Sequence, residues 1–197
     1  MSIDEQKKRQ RTRARAERRD ARHAADGAAQ RLKDNFLAAM KEMNFPAPGA
    51  VIAGYLAIGG EIDAEPLLRR LHGLGYVCAL PVVTKPGAPL VFRRWRPGME
   101  LENGSHGTRQ PGSDAEEVTP EVVLCPLLAF DKDGYRLGQG GGYYDRTLGA
   151  LRAIKRVTAV GLAFEAQRME TTPRDGYDQQ LDRIVTEQGA FRTGRAA

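Results

Sequence analysis

Directly after the apolar stretch Val122–Cys125, the chain reads Pro126-Leu-Leu-Ala-Phe-Asp131-Lys-Asp-Gly134-Tyr-Arg136-Leu137-Gly138-Gln139-Gly140-Gly141-Gly142-Tyr143-Tyr144-Asp145-Arg146. Four glycines fall within the five positions 138–142, and backbone without Cβ atoms can approach a bulky anion closely. A helix expected to begin around Gly142 would turn its free N–H groups and positive dipole end toward the same place. Arg136, at the entry to the loop, can neutralise phosphate oxygens, and Asp145, in the first helical turn, can hold magnesium. The chemistry implied is phosphate binding beside a metal ion. A glycine cluster alone serves equally well as a flexible linker, but here aromatic and charged residues crowd the glycines. The stretch is neither a Walker loop nor a dinucleotide fingerprint, because the Gly-Lys-Ser/Thr ending and the GxGxxG spacing are both missing.

Such a loop needs a sheet and a helix to hold it. After Phe45-Pro-Ala-Pro-Gly49 the sequence alternates short apolar runs with amphipathic segments, the pattern of an α/β layered domain. Strands are expected near 50–56, 76–80, 121–125 and 157–162, with Phe92–Trp95 as a strand crossing the surface. Asp63 is the expected N-cap of a helix carrying Leu67, Leu68 and Leu71. Before this domain lies a helix-forming segment rich in Ala, Arg, Lys, Glu and Gln, broken at Asp26-Gly27. Its second part shows an apolar stripe at Leu32, Phe36, Leu37 and Met40; its first has almost no apolar face. The expected organisation is a helical arm over residues 1–45 packing on a single α/β catalytic domain over residues 46–197.

Composition narrows the function classes. Of the 30 Lys/Arg and 25 Asp/Glu residues, 11 basic and 5 acidic ones lie in residues 1–33, so the net charge of +5 belongs to the arm and the rest is close to neutral. No apolar run approaches the roughly 18 residues that span a bilayer, so no membrane partner is expected. Cys78 and Cys125 sit far apart in apolar stretches and read as buried reduced thiols, which fits the cytoplasm. The three histidines, at 23, 72 and 106, do not make a metal site by spacing, and no Ser-His-Asp or Cys-His set stands out.

The run Leu-Ala-Phe-Asp-x-x-Gly-x-Arg-Leu-Gly-x-Gly-Gly-Gly-Tyr-Tyr-Asp-Arg resembles the signature of the 5-formyltetrahydrofolate cyclo-ligase family. The likeness continues in order through Tyr55-Leu56 to Glu61-Ile-Asp63, Leu80-Pro-Val-Val83, Phe92-Arg-Arg-Trp-Arg-Pro-Gly98, Gly161-Leu-Ala-Phe-Glu-Ala-Gln167 and Asp178-x-x-x-Asp182-x-Ile-Val-Thr-Glu187. Two positions depart from the family pattern: Gln110 stands where members usually carry Glu in Gly-x-x-Glu-Pro, and Gln139 stands where relatives often carry an aromatic or basic residue.

The resemblance implies a fold and a site. The fold is a three-layer α/β/α, Rossmann-like sheet of the sugar-phosphate isomerase and CoA-transferase type, with the basic arm attached. ATP phosphates would meet Arg136, Leu137, Gly138, Gln139, Gly140, Gly141, Gly142, Tyr143 and Tyr144, and a Lys-x-x-x-Arg pair on the arm, for which Lys7 and Arg11 have the spacing. Arg9/Arg13 and Arg11/Arg15 fit it equally. Folate would meet Leu56, Glu61 and the segment Gln139–Tyr143. The magnesium ligands match Asp145 and Asp178, and Arg136, Tyr143 and Asp145 are the expected catalytic residues. Without the family, Glu61 reads as a helix N-terminal acid, Asp178 as a solvated loop acid, Trp95 as packing and the arm as a solvated charged helix.

The activity implied is ATP-dependent closure of 5-formyltetrahydrofolate to 5,10-methenyltetrahydrofolate, with magnesium as cofactor, ATP and the folate as ligands, and a monomer as the working form. Two alternatives use the same residues differently. A phosphosugar isomerase would use the glycine loop without ATP, and a noncatalytic RNA-associated protein would use the arm alone; a nucleic-acid partner is not expected from the near-neutral remainder of the chain.

Overall fold

The alternation of apolar runs and amphipathic segments folds into one main sheet with helices on both sides. The computed structural model describes residues 2–194. In chain order come helices α1 (Ile3–Ala24) and α2 (Ala28–Ala39), strand β1 (Val51–Ala53), helix α3 (Glu65–Gly73), and strands β2 (Val77–Val82), β3 (Val91–Trp95), β4 (Glu102–Asn103), β5 (Arg109–Gln110), β6 (Val122–Pro126), β7 (Ala129–Phe130) and β8 (Arg136–Leu137). Helix α4 (Tyr143–Ile154) and strands β9 (Thr158–Leu162), β10 (Arg183–Val185) and β11 (Ala190–Arg192) complete the order.

Among the described residues the main sheet has seven strands in the order β11-β10-β9-β6-β1-β2-β3. Its interior pairs are parallel, and β3 and β11 close the edges antiparallel. Period-two alternation sorts the strand residues onto two faces. Ile52, Cys78, Val122, Leu124 and Val160 pack with Leu32 and Phe36 of α2 and Leu67, Leu68 and Leu71 of α3. Ala53, Ala79, Val123, Cys125 and Ala159 pack with Leu148 of α4. The result is the expected three layers. The α3 leucines are fully buried, so truncating one to alanine should cost about 2–5 kcal/mol. Cys78 and Cys125 are free and buried, and burial pushes both thiols up to about 12.

Helix α1 is set differently. Ser2 caps it in a reciprocal box with Glu5. Small residues, Ala14 and Ala21, form its buried apolar face, and Ala14 meets Leu128, Ala129 and Leu137 at the β7–β8 hairpin. Small side chains bring the helix backbone close to the domain, and the long cations between them then reach across it.

Three local expectations change. Strand β1 ends at Ala53, short of position 56; Gly54 still donates to the Ala79 carbonyl at 2.9 Å, and a Cβ on it would lie 2.5 Å from the Leu68 side chain. The N-cap of α3 is Ala64 and Pro66 sits in the first turn, so Asp63 lies one residue early, its Oδ1 accepting from the Glu65 N–H at 2.9 Å. Strand β3 does not simply cross the surface, since Phe92 and Trp95 are buried, with Trp95 in the α2–α3 face of the core.

Candidate active site

Strand β1 connects onward to β2 on one side, and β6 to β9 on the other. The carboxyl ends of β1 and β6 are therefore a point where strand order reverses, the place at which open α/β sheets form a ligand crevice. A cleft of about 1090 Å³ opens there. Tyr55 and Leu56 follow β1 into it, Pro126 ends β6 in it with Leu127 just beyond, and the glycine loop and the cation face of α1 line it. Every residue expected to act reaches this cleft: Lys7, Arg11, Leu56, Glu61, the whole run Arg136–Asp145, and Asp178.

The glycine loop is positioned from below by the β7–β8 hairpin and from above by α4. Gly142, at φ 64°, is the N-cap of α4, and no side chain caps the helix's first N–H groups. A Cβ there would come within 2.6 Å of the Arg146 guanidinium, and Gly140, at φ 109°, has the Arg11 guanidinium 3.4 Å from where its Cβ would be. The positive φ at Gly140 and Gly142 is a backbone conformation that favours glycine. Arg146 also donates to the Gly141 carbonyl and lies 5.4 Å from the Tyr143 ring centroid. Leu137 turns its side chain into the small cluster beneath α1.

At this end of the cleft charges meet in pairs. The buried Arg136 donates from Nη2 to Asp145 Oδ1 at 2.6 Å and from Nη1 to the Gln179 carbonyl at 2.5 Å. The same Oδ1 accepts from the Gln179 N–H at 2.9 Å. Lys7 Nζ donates to Asp175 Oδ2 at 2.7 Å and to Asp178 Oδ2 at 2.6 Å. Burial would lower the Lys7 ammonium, but the two carboxylates outweigh it and hold it above its ordinary value, while Lys7 holds Asp175 below the usual carboxylate range. Arg11 Nε donates to the Gly138 carbonyl at 3.0 Å, and Arg15 Nε to Gln139 Oε1 at 3.1 Å.

Buried Asp131 is what registers these loops against each other. Its Oδ1 accepts from the N–H groups of Asp133 and Tyr135, and its Oδ2 from the N–H and hydroxyl of Thr172. The hairpin that carries Arg136 is thereby tied to the segment that carries Asp175 and Asp178.

At the other end, Glu61 is buried. Its Oε2 accepts from the Ile58 N–H at 3.0 Å, and its Oε1 lies 3.5 Å from Arg18 Nη1. Burial pulls the carboxyl upward, and the Ile58 N–H and Arg18 oppose it. Burial, with Glu61 second, raises the Tyr55 hydroxyl well above its ordinary value, and that hydroxyl donates to the Ile62 carbonyl at 3.0 Å. Glu61 is therefore no helix-terminal acid, and Trp95 stands outside this cleft.

Of the possible arm registers, Lys7 and Arg11 line the cleft, Arg15 reaches the loop at Gln139, and Arg9 and Arg13 face solvent. Sequence reasoning passed over Asp175, Arg18, Arg22, His106, Arg109 and Tyr177. Arg11, Arg15, Arg18 and Arg22 follow i, i+4, i+7, i+11, a one-face stripe that was available as a signal; Asp175, in a loop, offered none.

A crevice at a strand-order reversal, with a glycine-rich loop and paired carboxylates at one end and a buried carboxylate at the other, is the kind of site that α/β enzymes place beyond the carboxyl ends of their strands. A sequence model of the 5-formyltetrahydrofolate cyclo-ligase family matches residues 3–187, and the chain belongs to that family. It is 35% identical to the 5-formyltetrahydrofolate cyclo-ligase of Escherichia coli (strain K12) over 156 residues, 76% of this chain and 85% of the relative. It is 36% identical to that of Haemophilus influenzae over 141 residues, 68% and 74% of the two chains. The solution structure of Aquifex aeolicus 5,10-methenyltetrahydrofolate synthetase superposes with a TM-score of 0.70 at 27% identity, covering 95% of this chain and 94% of that one.

Proposed function

We propose that this chain is a 5-formyltetrahydrofolate cyclo-ligase, closing its substrate to 5,10-methenyltetrahydrofolate and releasing ADP and phosphate from ATP. The observation that carries the reading is that one cleft joins the anion loop to the buried Glu61, so that a nucleotide phosphate and a pterin can meet inside it. The phosphates lie on the N–H groups of Gly138–Gly142 and Tyr143–Tyr144, met by Arg136, Lys7 and Arg11. The folate lies against Leu56 and the Gln139–Tyr143 backbone, and Glu61 accepts from the N–H edge of the pterin.

The formyl oxygen attacks the γ-phosphorus as the bond to the ADP oxygen breaks, leaving a phosphorylated iminium on nitrogen 5. Nitrogen 10 then adds to the formyl carbon and loses its proton, and phosphate departs with the C–O bond. The protein's contribution is alignment and charge: Arg136 faces the transferring group, the loop N–H groups hold its oxygens, and Tyr143 borders the reacting centre. No covalent nucleophile is required.

The donor set suits magnesium. Asp145 and Asp178 line the same cleft, each has one oxygen engaged by a cation, and magnesium commonly takes one or two carboxylates with phosphate and water. When bound it would neutralise the β- and γ-phosphate oxygens.

In this reading residues 46–197 are the catalytic domain and residues 1–45 an arm that completes its nucleotide end. A monomer suffices, since every proposed ligand comes from one chain, and the two buried free thiols suit the cytoplasm. Among the described residues no helix is long and apolar enough to cross a membrane. The phosphosugar and RNA alternatives are not favoured: family and relatives agree on folate chemistry, and two of the arm's cations, Lys7 and Arg18, are buried against the domain.

The test is to mix purified protein with 5-formyltetrahydrofolate and magnesium, with and without ATP, and follow the near-ultraviolet absorbance of methenyltetrahydrofolate. ATP-dependent product that disappears in Asp145→Ala is expected. No product from a well-folded wild type would remove the reading.

A further inference from the structure

Arg18 lies on the α1 face that looks into the cleft, and its side chain is 7% exposed beside a Glu61 side chain that is 6% exposed. Its Nη1 donates to the carbonyl of Leu127, just past β6, at 3.3 Å and stands 3.5 Å from Glu61 Oε1. One turn on, Arg22 Nη1 donates to the carbonyls of Gly59 at 3.0 Å and Glu61 at 3.3 Å. Helix α1 therefore grips Glu61 twice, once by charge and once by backbone. The 3.5 Å separation is a charge contact at the outer edge of hydrogen bonding, which leaves the Glu61 oxygens with acceptor capacity for a ligand.

We propose that Arg18 is a positioning residue for the folate: acting through Glu61, it keeps that carboxylate ionised and in place for the pterin N–H groups, and so sets the lower pH limit of folate binding. The inference rests on the reading of Glu61 as the folate-gripping acid. A buried arginine that only fastened α1 to the domain would serve through the Leu127 hydrogen bond alone. The contact with Glu61 makes a different demand, because a carboxyl out of water tends to take up a proton unless a cation stands beside it. The groups around Glu61 are Arg18 and Arg22 from α1, Tyr55 and Asp63 from its own segment, and Tyr144 from α4. Among the described residues, the two arginines are the positive charges in this group, and Arg22 bonds the Glu61 carbonyl rather than its carboxylate. The sign follows: removing the Arg18 charge lets burial pull Glu61 further up, the anion disappears at a higher pH, and the acid limb of folate binding moves upward.

Arg18→Gln keeps a donor for Leu127 without the charge, and Arg18→Lys keeps the charge. Equilibrium binding of 5-formyltetrahydrofolate without ATP is measured by calorimetry from about pH 5 to 8, above an ordinary glutamate at about 4.3, and KM for ATP is measured alongside. Arg18→Gln is expected to weaken folate binding about tenfold at the acid end, as truncating one partner of a buried charge pair does, with the deficit shrinking as pH rises. KM for ATP should stay within about twofold of wild type, and Arg18→Lys should restore most of the pH profile. A deficit equal at every pH, or one shared by ATP, would make Arg18 a structural tie and overturn the proposal. Should Arg18→Gln not fold, Arg18→Met takes its place and Glu61→Gln checks the titrating group: folate binding that still falls toward acid pH in Glu61→Gln, or an acid limb unmoved in Arg18→Met, overturns the proposal, whereas a flat profile in the first with an upward-shifted limb in the second upholds it. A wild type that binds no folate at any pH refutes instead the reading of the site.

Discussion

The two ends of the cleft hold their charges in opposite ways. At the glycine loop the cations and carboxylates satisfy one another, Lys7 with Asp175 and Asp178, and Arg136 with Asp145, and the acids stay partly in water, Asp145 at 26% and Asp175 at 33% exposure. On the proposed reading a magnesium nucleotide would offer these groups alternative partners, phosphate for the cations and the metal for Asp145 and Asp178, and binding there would exchange one set of pairs for another. At the Glu61 end both members of the pair are buried, and the pair is braced by the Ile58 N–H and by Arg22. If Glu61 takes the pterin as proposed, nothing there needs to be exchanged, because the pterin would only add donors to a carboxylate already fixed. Preorganisation on that reading is a set of replaceable ion pairs at one end and a permanent one at the other.

The sharpest way to break this contrast is Arg136→Ala. Arg136, like Lys7, is buried as the charges at the Glu61 end are, and its planar fork serves two acceptors at once. Its loss should lower kcat/KM by about 10²–10³-fold, the usual cost of removing one electrostatic stabiliser of a transition state, with Arg136→Lys recovering only part. Initial rates on protein verified as folded by circular dichroism decide it. A loss under about tenfold would place the transferring phosphoryl group elsewhere.

Asp131→Asn probes what holds the exchanging pairs in register. An amide cannot accept from four donors, and one of its two ends would meet them with a donor of its own. Hydrogen bonds to a charged group carry about 1.5–3 kcal/mol each, so an unfolding free energy lower by about that much is expected in a urea titration. KM for ATP should rise with it, while folate binding without ATP stays near wild type. Equal damage to both ligands would show that Asp131 supports the whole cleft and not one end.

The legibility of the molecule follows the same division. The place of the glycine loop in the cleft was readable because Gly138–Gly142 form one contiguous stretch between the β7–β8 hairpin and α4, flanked by Arg136 and Asp145. The layers were readable because Ile52/Ala53 and Val122/Val123 alternate. Glu61 looked locally like the start of a helix; the helix begins instead at Glu65, with Pro66 in its first turn, and the acid is left in the cleft, which only tertiary packing determines. The arm was harder still. With so many arginines, charge cannot fix the register, and it is the least conspicuous residues, Ala14 and Ala21, that do so by being small enough to bury. Lys7 and Arg18 share their face, whereas Arg9 and Arg13 do not. Asp175 could not be read at all, because its partner is contributed by a helix 168 positions away in sequence.

That register yields the smallest of the expected effects and the most direct check on the arm. Lys7→Ala removes a cation from the nucleotide end and leaves Asp175 and Asp178 facing each other, so KM for ATP should rise about tenfold, the scale of one charge-assisted contact, with folate affinity unchanged. Arg9→Ala removes the same formal charge two residues away, from a side chain that faces solvent, and Arg13 is 82% exposed and paired with Glu17. Exposed charges act on a ligand only through the screened field, so Arg9→Ala and Arg13→Ala should each leave KM for ATP within about twofold. Repeating the comparison at higher salt separates the contributions further: the Lys7 deficit persists if it is a contact, whereas a general attraction of the basic arm for nucleotide fades for all three variants alike. Equal deficits in Lys7→Ala and Arg9→Ala would mean that the arm acts as a diffuse field, and the distinction between exchanging contacts and solvated charge would fail at the end of the cleft where it matters most.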